Sequence, residues 1–192
     1  MEKMLRIYVG TFGNPLLGNW VDDPSENPDT LREELENAIY AGFGHPNPTD
    51  EYKEKYPLPE YGIMDSSGFG TYRIDESIPL DTLCTLIQGV NKYGSVFAAY
   101  FDYENIEPNE DDFLRAYIGT YESLDAYVQE RIDEEIEVAY AMLDTHDRGR
   151  VDNRLKHLHQ YIDRVRYGND LEINQIWTLR LNHKETAVFN RL

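Results

Sequence analysis

Apolar residues in this chain recur at two different spacings, and the spacings mark out its elements. Leu5–Val9 (LRIYV) is β-branched and aromatic and predicts a first strand, broken by Gly10, Gly13, Asn14 and Pro15. Gly18–Val21 predicts a returning strand. Pro28 and then Thr30-Leu31-Arg32-Glu33, with the form of a capping box, predict a helix to about Ile39 that stops at Gly42. Residues 45–59, rich in Pro, Asp, Glu, Lys and Tyr, read as a long loop or insertion. Tyr61–Met64 predicts a short strand, with Tyr72–Ile74 as its partner.

The spacing then turns helical. Pro79 suits a first helical position, and Leu80, Leu83, Leu86, Ile87 and Val90 continue the pattern to Gly94. Val96–Phe101 is apolar throughout, so its type stays open. Asn109 followed by Glu110, Asp111 and Asp112 starts a helix carrying Phe113, Leu114, Tyr117 and Ile118, with acids where the helix dipole favours them. Leu124, Val128, Ile132 and Ile136 recur every four residues and form one apolar seam. Asp125, Asp133 and Glu137 lie on the adjoining row, and Glu130 and Glu134 on the next. After a charged turn at 146–150, residues 153–167 predict a helix with Gly168 just past its end. Leu171–Ile173, Trp177–Leu181 and Ala187–Phe189 predict strands, with Asn182-His183 in the last hairpin. The elements divide into three parts, 1–77, 78–132 and 133–192, of an α+β chain.

Charge changes this picture most. The formal net charge is −18 with a pI near 4.5. Residues 1–147 hold 31 acids and 9 bases, whereas 148–192 hold 5 acids and 9 bases. Asp102–Asp147 alone carries fifteen acids against Arg115 and Arg131. Six carboxylates between Leu124 and Tyr140 amount to about one charge per 4 Å of helix, comparable with one strand of DNA at about 3.4 Å. Such a chain repels nucleic acid and anionic membrane and favours basic partners. The lone Cys84 excludes an internal disulfide framework. No apolar run approaches a membrane span, and MEKMLRIYVG lacks the apolar core of a signal peptide, so the expected compartment is the cytoplasm.

Catalytic chemistry is hard to place. Gly68-Phe69-Gly70 lacks the rest of a phosphate loop. Cys84 sits in an apolar helical pattern and reads as a core thiol. His157 and His159 point to different helix faces, and His45, His146 and His183 are isolated. Asp102-x-Glu104 begins like a calcium loop but has Glu107 where glycine is needed, and Asp144–Asp147 fails similarly. No metal, cofactor or catalytic group is therefore expected. By composition alone, the acidic stretch reads first as a solvated face.

The segment LKHLHQYIDRVRYGNDLEI, with Asn182-His183 in the hairpin behind it, resembles the C-terminal signature of ArdA-type antirestriction proteins. Tyr161-Ile162-Asp163 with Tyr167-Gly168 and Asp170 is its most specific piece. Ile7-Tyr8-Val9, Gly18-Asn19-Trp20, Glu60–Ile63 with Asp65, Leu114–Ile132 and Ala139–Leu143 resemble the family in matching order. Two departures stand out: residues 45–59 look inserted, and the join between Ile132 and Ile136 looks shortened, replacing a strand by continuous helix. The resemblance implies an elongated protein of three small α/β or helical domains that dimerises through the last one. It implies inhibition of type I restriction–modification enzymes by imitation of bent duplex DNA, without a catalytic step.

On that reading carboxylates stand in for phosphates. The expected set is Asp102, Glu104, Glu107, Glu110, Asp111, Asp112, Asp125, Glu130, Asp133, Glu134 and Glu137, with Glu33, Glu34 and Glu36 on the outer domain. Tyr161, Tyr167 and Trp177 are the dimer-interface candidates. Two rival readings share the charge: an acidic adaptor or chaperone for a basic nucleoid-type protein, and a small carboxylate–metal hydrolase. Capture of a multi-subunit restriction enzyme rather than small basic proteins separates the first, and a metal assay the second.

Overall fold

A computed structural model describes residues 4–143 and 162–192. It is α+β, with helices beside two small antiparallel sheets, and it divides into two compact units, residues 1–113 and 114–192.

The first unit opens with the hairpin β1 (Arg6–Thr11) and β2 (Asn14–Asp22), and β3 (Tyr61–Ser67) pairs with the other edge of β1. Ile7 and Val9 point to one face and are fully buried beneath α1 (Pro28–Gly42), which contributes Leu31, Leu35 and Ile39. Strand β2 starts at Asn14, straight through Pro15, because an edge strand tolerates a missing N–H. The cap of α1 is Asn27, not Thr30: its side chain accepts from the Asp29 and Thr30 amides, and Pro28 takes the first helical position. Residues 45–59 are not all loop, since they hold the short helix α2 (Asp50–Lys55), capped by Thr49. Its Tyr52 ring lies 6.1 Å from Tyr40 and 4.5 Å from His45, and the Tyr40 hydroxyl donates to the Tyr56 carbonyl. Residues 72–74 form no strand; the partner of β3 is β1, and the Ile63 amide of β3 donates to the carbonyl of Glu76, past that segment.

Helices α3 (Leu80–Tyr93), which Pro79 precedes at the N-cap without a capping side-chain bond rather than taking the first helical position, and α4 (Ser95–Glu104) complete this core. Val96–Phe101 is thus helical, and every residue in it is buried. A Cβ on Gly89 would fall 2.1 Å from the Phe97 ring, so the close approach of α3 and α4 requires glycine there. Phe97 in turn contacts Phe101 and Phe113 at 4.9 and 5.1 Å between centroids. Cys84 lies in this core, where burial pushes its thiol pKa up.

Helix α5 (Glu110–Ala116) ends before Tyr117, and β4 (Tyr117–Tyr121) follows, so Tyr117 and Ile118 are strand rather than helix. The second unit has the sheet order β4-β6-β5, with β5 (Ile176–Arg180) and β6 (Thr186–Asn190) forming the expected hairpin around Asn182-His183. Helix α6 (Leu124–Ala141), capped by Ser123, runs unbroken through Ile132–Ile136. Val128, Ile132 and Tyr127 are buried against Leu171, Ile176 and Val188, with Leu124 and Ile136 at the margin. Helix α7 (Arg164–Asn174) starts afresh at Asp163, whose side chain accepts from the Arg166 amide. No helix from 153 therefore continues to 167, and Leu171–Ile173 is helix, not strand. Gly168 lies inside α7 rather than past a helix end, and it is buried. The expected turn at 146–150, most of the predicted helix 153–167, and Tyr161 lie outside the described residues.

Candidate functional site

The apolar seam fixes which way α6 turns. With Val128 and Ile132 held in the core, Glu130, Asp133, Glu134 and Glu137 project from the opposite side, and all four are exposed. Asp125 and Glu135 are exposed on the flanks. Arg131 is the only base on the helix and reaches Glu134 at 3.2 Å and Glu135 at 3.4 Å. The Tyr167 hydroxyl donates to Glu135 at 2.7 Å. Burial and that bond push the Tyr167 pKa up to about 12. Glu135, absent from the sequence-based set, is thus tied to its surroundings; its own row gave no sign of this because the tie comes from Tyr167, on a different helix.

The acids at 102–112 belong to the first unit. Asp102, Glu104, Glu107 and Asp111 are exposed, with no ion pair to another described residue, whereas Asp112 is half-buried. Glu110 is engaged: Lys92 and Tyr93 both donate to it at 2.6 Å, which lowers its pKa and raises that of Lys92. On α1, Glu33 is exposed, while Glu34 and Glu36 are half-buried. Glu34 accepts from the Ser25 amide at 2.9 Å and so is partly used within its own unit. The sequence-based set therefore falls into two groups, one on each unit. Unit 1–113 carries 22 acids and 7 bases, net −15, and unit 114–192 carries 14 acids and 11 bases, net −3.

Of the aromatic residues expected at an interface, Tyr167 is half-buried against the α6 core, and Trp177 is buried, its ring stacked on Phe189 at 4.3 Å. No group of His, Cys, Asp and Glu suited to a metal ion is found among the described residues, nor a helix long and apolar enough to cross a membrane. What the acidic surface offers chemically is a set of carboxylate oxygens that accept hydrogen bonds from Lys and Arg.

No curated protein and no solved structure matches the chain. A family model does, that of the antirestriction protein ArdA, over residues 7–180 of the 192. The match takes in the first sheet, the acidic helix, α7 and β5, stopping before β6, and covers most of the chain, so the chain belongs to the ArdA antirestriction protein family.

Proposed function

We propose that this protein blocks a type I restriction–modification enzyme by occupying its DNA-binding groove as a mimic of bent duplex DNA. The observation that carries the reading is the orientation of α6. Its seam is buried, and Glu130, Asp133, Glu134 and Glu137 are turned outward at about the linear charge density of a DNA strand. Antirestriction is the function of the family; the groove, the mimicry and the type I target are the finer reading. In it, Asp102, Glu104, Glu107 and Asp111 of the first unit also belong to the phosphate-like set, as do Glu33, Glu34 and Glu36. The reading also includes a cytoplasmic homodimer joined through residues 133–192, and the three-part division of the chain at 77 and 132. No step in it is catalytic.

The test is inhibition of a purified type I enzyme, with and without competing DNA. Exposed charges act singly with little weight, roughly 0.2–1 kcal/mol each. Asp125→Asn should therefore leave inhibition nearly intact. Changing Glu130, Asp133, Glu134 and Glu137 together to amides should weaken it roughly tenfold or more. A folded quadruple variant as potent as wild type would place the site elsewhere.

A further inference from the structure

Helix α7 touches α6 by close packing and by side-chain hydrogen bonds. A Cβ on Gly168 would stand 3.1 Å from the Val128 methyl, so the two backbones approach closely. One turn earlier on α7, Arg164 donates to Gln129 Oε1 at 2.7 Å and lies 3.7 Å from Asp125. Gln129 passes the contact on, its amide donating to Asp133 at 3.0 Å. Tyr167 meanwhile holds Glu135, which shares Arg131 with Glu134. Two side chains of α7 therefore reach, directly or through one relay residue, four of the six carboxylates of α6.

We propose that Arg164 and Tyr167 are positioning residues of the partner-binding surface, fixing the carboxylates of α6 before the partner arrives. This rests on the reading of α6 as that surface. A free Asp or Glu side chain must be immobilised on binding, which weakens association by roughly twofold to tenfold per side chain. A surface already clamped avoids that loss. Arg164 is ill-placed if charge alone matters, because it puts a cation beside an acidic row. Clamping explains its presence, and it reverses the expected sign of its removal.

The experiment uses the full-length protein and the type I enzyme, with Arg164→Gln, Tyr167→Phe and Arg164→Lys. Arg164→Gln makes the surface more negative, so an unstructured charge field would bind a basic groove more tightly. Positioning makes it weaker, roughly threefold to tenfold, and Tyr167→Phe similar at unchanged net charge. Arg164→Lys, which keeps the charge and a donor, should recover part of the loss. In parallel, carboxyl carbon resonances of Asp133 and Glu135 in the free protein should move toward those of unrestrained side chains in the Gln and Phe variants, respectively. Inhibition by Arg164→Gln equal to or better than wild type, or unchanged resonances, would overturn the proposal. A wild-type protein that fails to inhibit would instead overturn the groove reading, and the resonances would still decide whether the clamp exists.

Discussion

Replacing Ile132 by alanine removes three carbons from the seam on which the orientation of α6 depends. Ile132 is 2% exposed and lies in a cluster of six buried residues. The transfer loss is about 2.5 kcal/mol at about 0.8 kcal/mol per methylene. The hole adds a further contribution, reduced because half-buried Leu124, Ile136 and Tyr121 can relax toward it. The expected total is about 3 kcal/mol, within the range for such truncations. Ile136, at the margin of the same seam, should cost about half as much. Trp177 lies in the same unit and reports its unfolding once Trp20→Phe has removed the other indole. With a urea dependence of about 1 kcal/mol per M for a unit this small, Ile132→Ala should lower the midpoint by roughly 2–3 M. Equal losses for Ile132→Ala and Ile136→Ala would refute the argument, as would a loss below about 1 kcal/mol for Ile132. Either result would mean that the seam does not set which acids face outward.

Three further outcomes follow from particular contacts. Asn27→Ala should cost about 1 kcal/mol by urea denaturation and Thr30→Ala less than about 0.5, because Asn27 is the residue that caps α1. Tyr167 holds its proton more tightly in the folded protein, so its contribution to stability is full below pH 10.0 and is lost as pH rises through about 12. A tyrosinate absorbance titration should show a late phase that is smaller by one tyrosine in Tyr167→Phe and part of which moves to lower pH in Glu135→Gln. Finally, α6 carries about one charge per 4 Å against about one per 1.7 Å in duplex DNA, so log K for the enzyme should fall with log salt less steeply than for DNA in the same groove. Paired titrations over one salt series check this, and a slope as steep as that of DNA contradicts it.

The elements legible from sequence were those whose local pattern and tertiary role agree. The seam of α6, the helix at Leu80–Tyr93 and the last hairpin are of this kind. Misreadings came where a local signal had a stronger competitor nearby. Thr30 and Glu33 have the form of a capping box, but Asn27 stands directly before Pro28 and takes the cap. Gly168 looks like a helix end, yet its lack of a side chain serves the approach to Val128, and Asp163 starts the helix that runs through it. Tyr117 and Ile118 fit the helical spacing of Phe113 and Leu114, but Tyr117 pairs with Phe189 of β6, 72 residues on, which no local window contains. The acidic set was legible as a list. Its division into held carboxylates and the rest was not, since on α6 that depends on Arg164 and Tyr167, more than thirty residues from their partners.

That division changes what the charge pattern means. Cut at residue 147, the sequence reads as an acidic body followed by a mildly basic end. The fold does not keep these apart: Arg164 and Tyr167 come from the basic end and make their contacts on the acidic helix, inside one unit of net −3. The small net charge is therefore not a sign of a weakly charged surface. It reflects bases on and before α7 set against acids on α6, and the side of α6 away from its core keeps its carboxylates outward. A basic partner approaching from that side meets a field set by Glu130, Asp133, Glu134 and Glu137 at short range, offset nearby only by Arg131 beside Glu134 among the described residues, because opposite charges farther away are screened over a Debye length of about 8 Å. Local arrangement, more than the total of −18, is then what a DNA-binding groove would recognise. It follows that adding acids elsewhere on the chain should do less for inhibition than keeping these four in place.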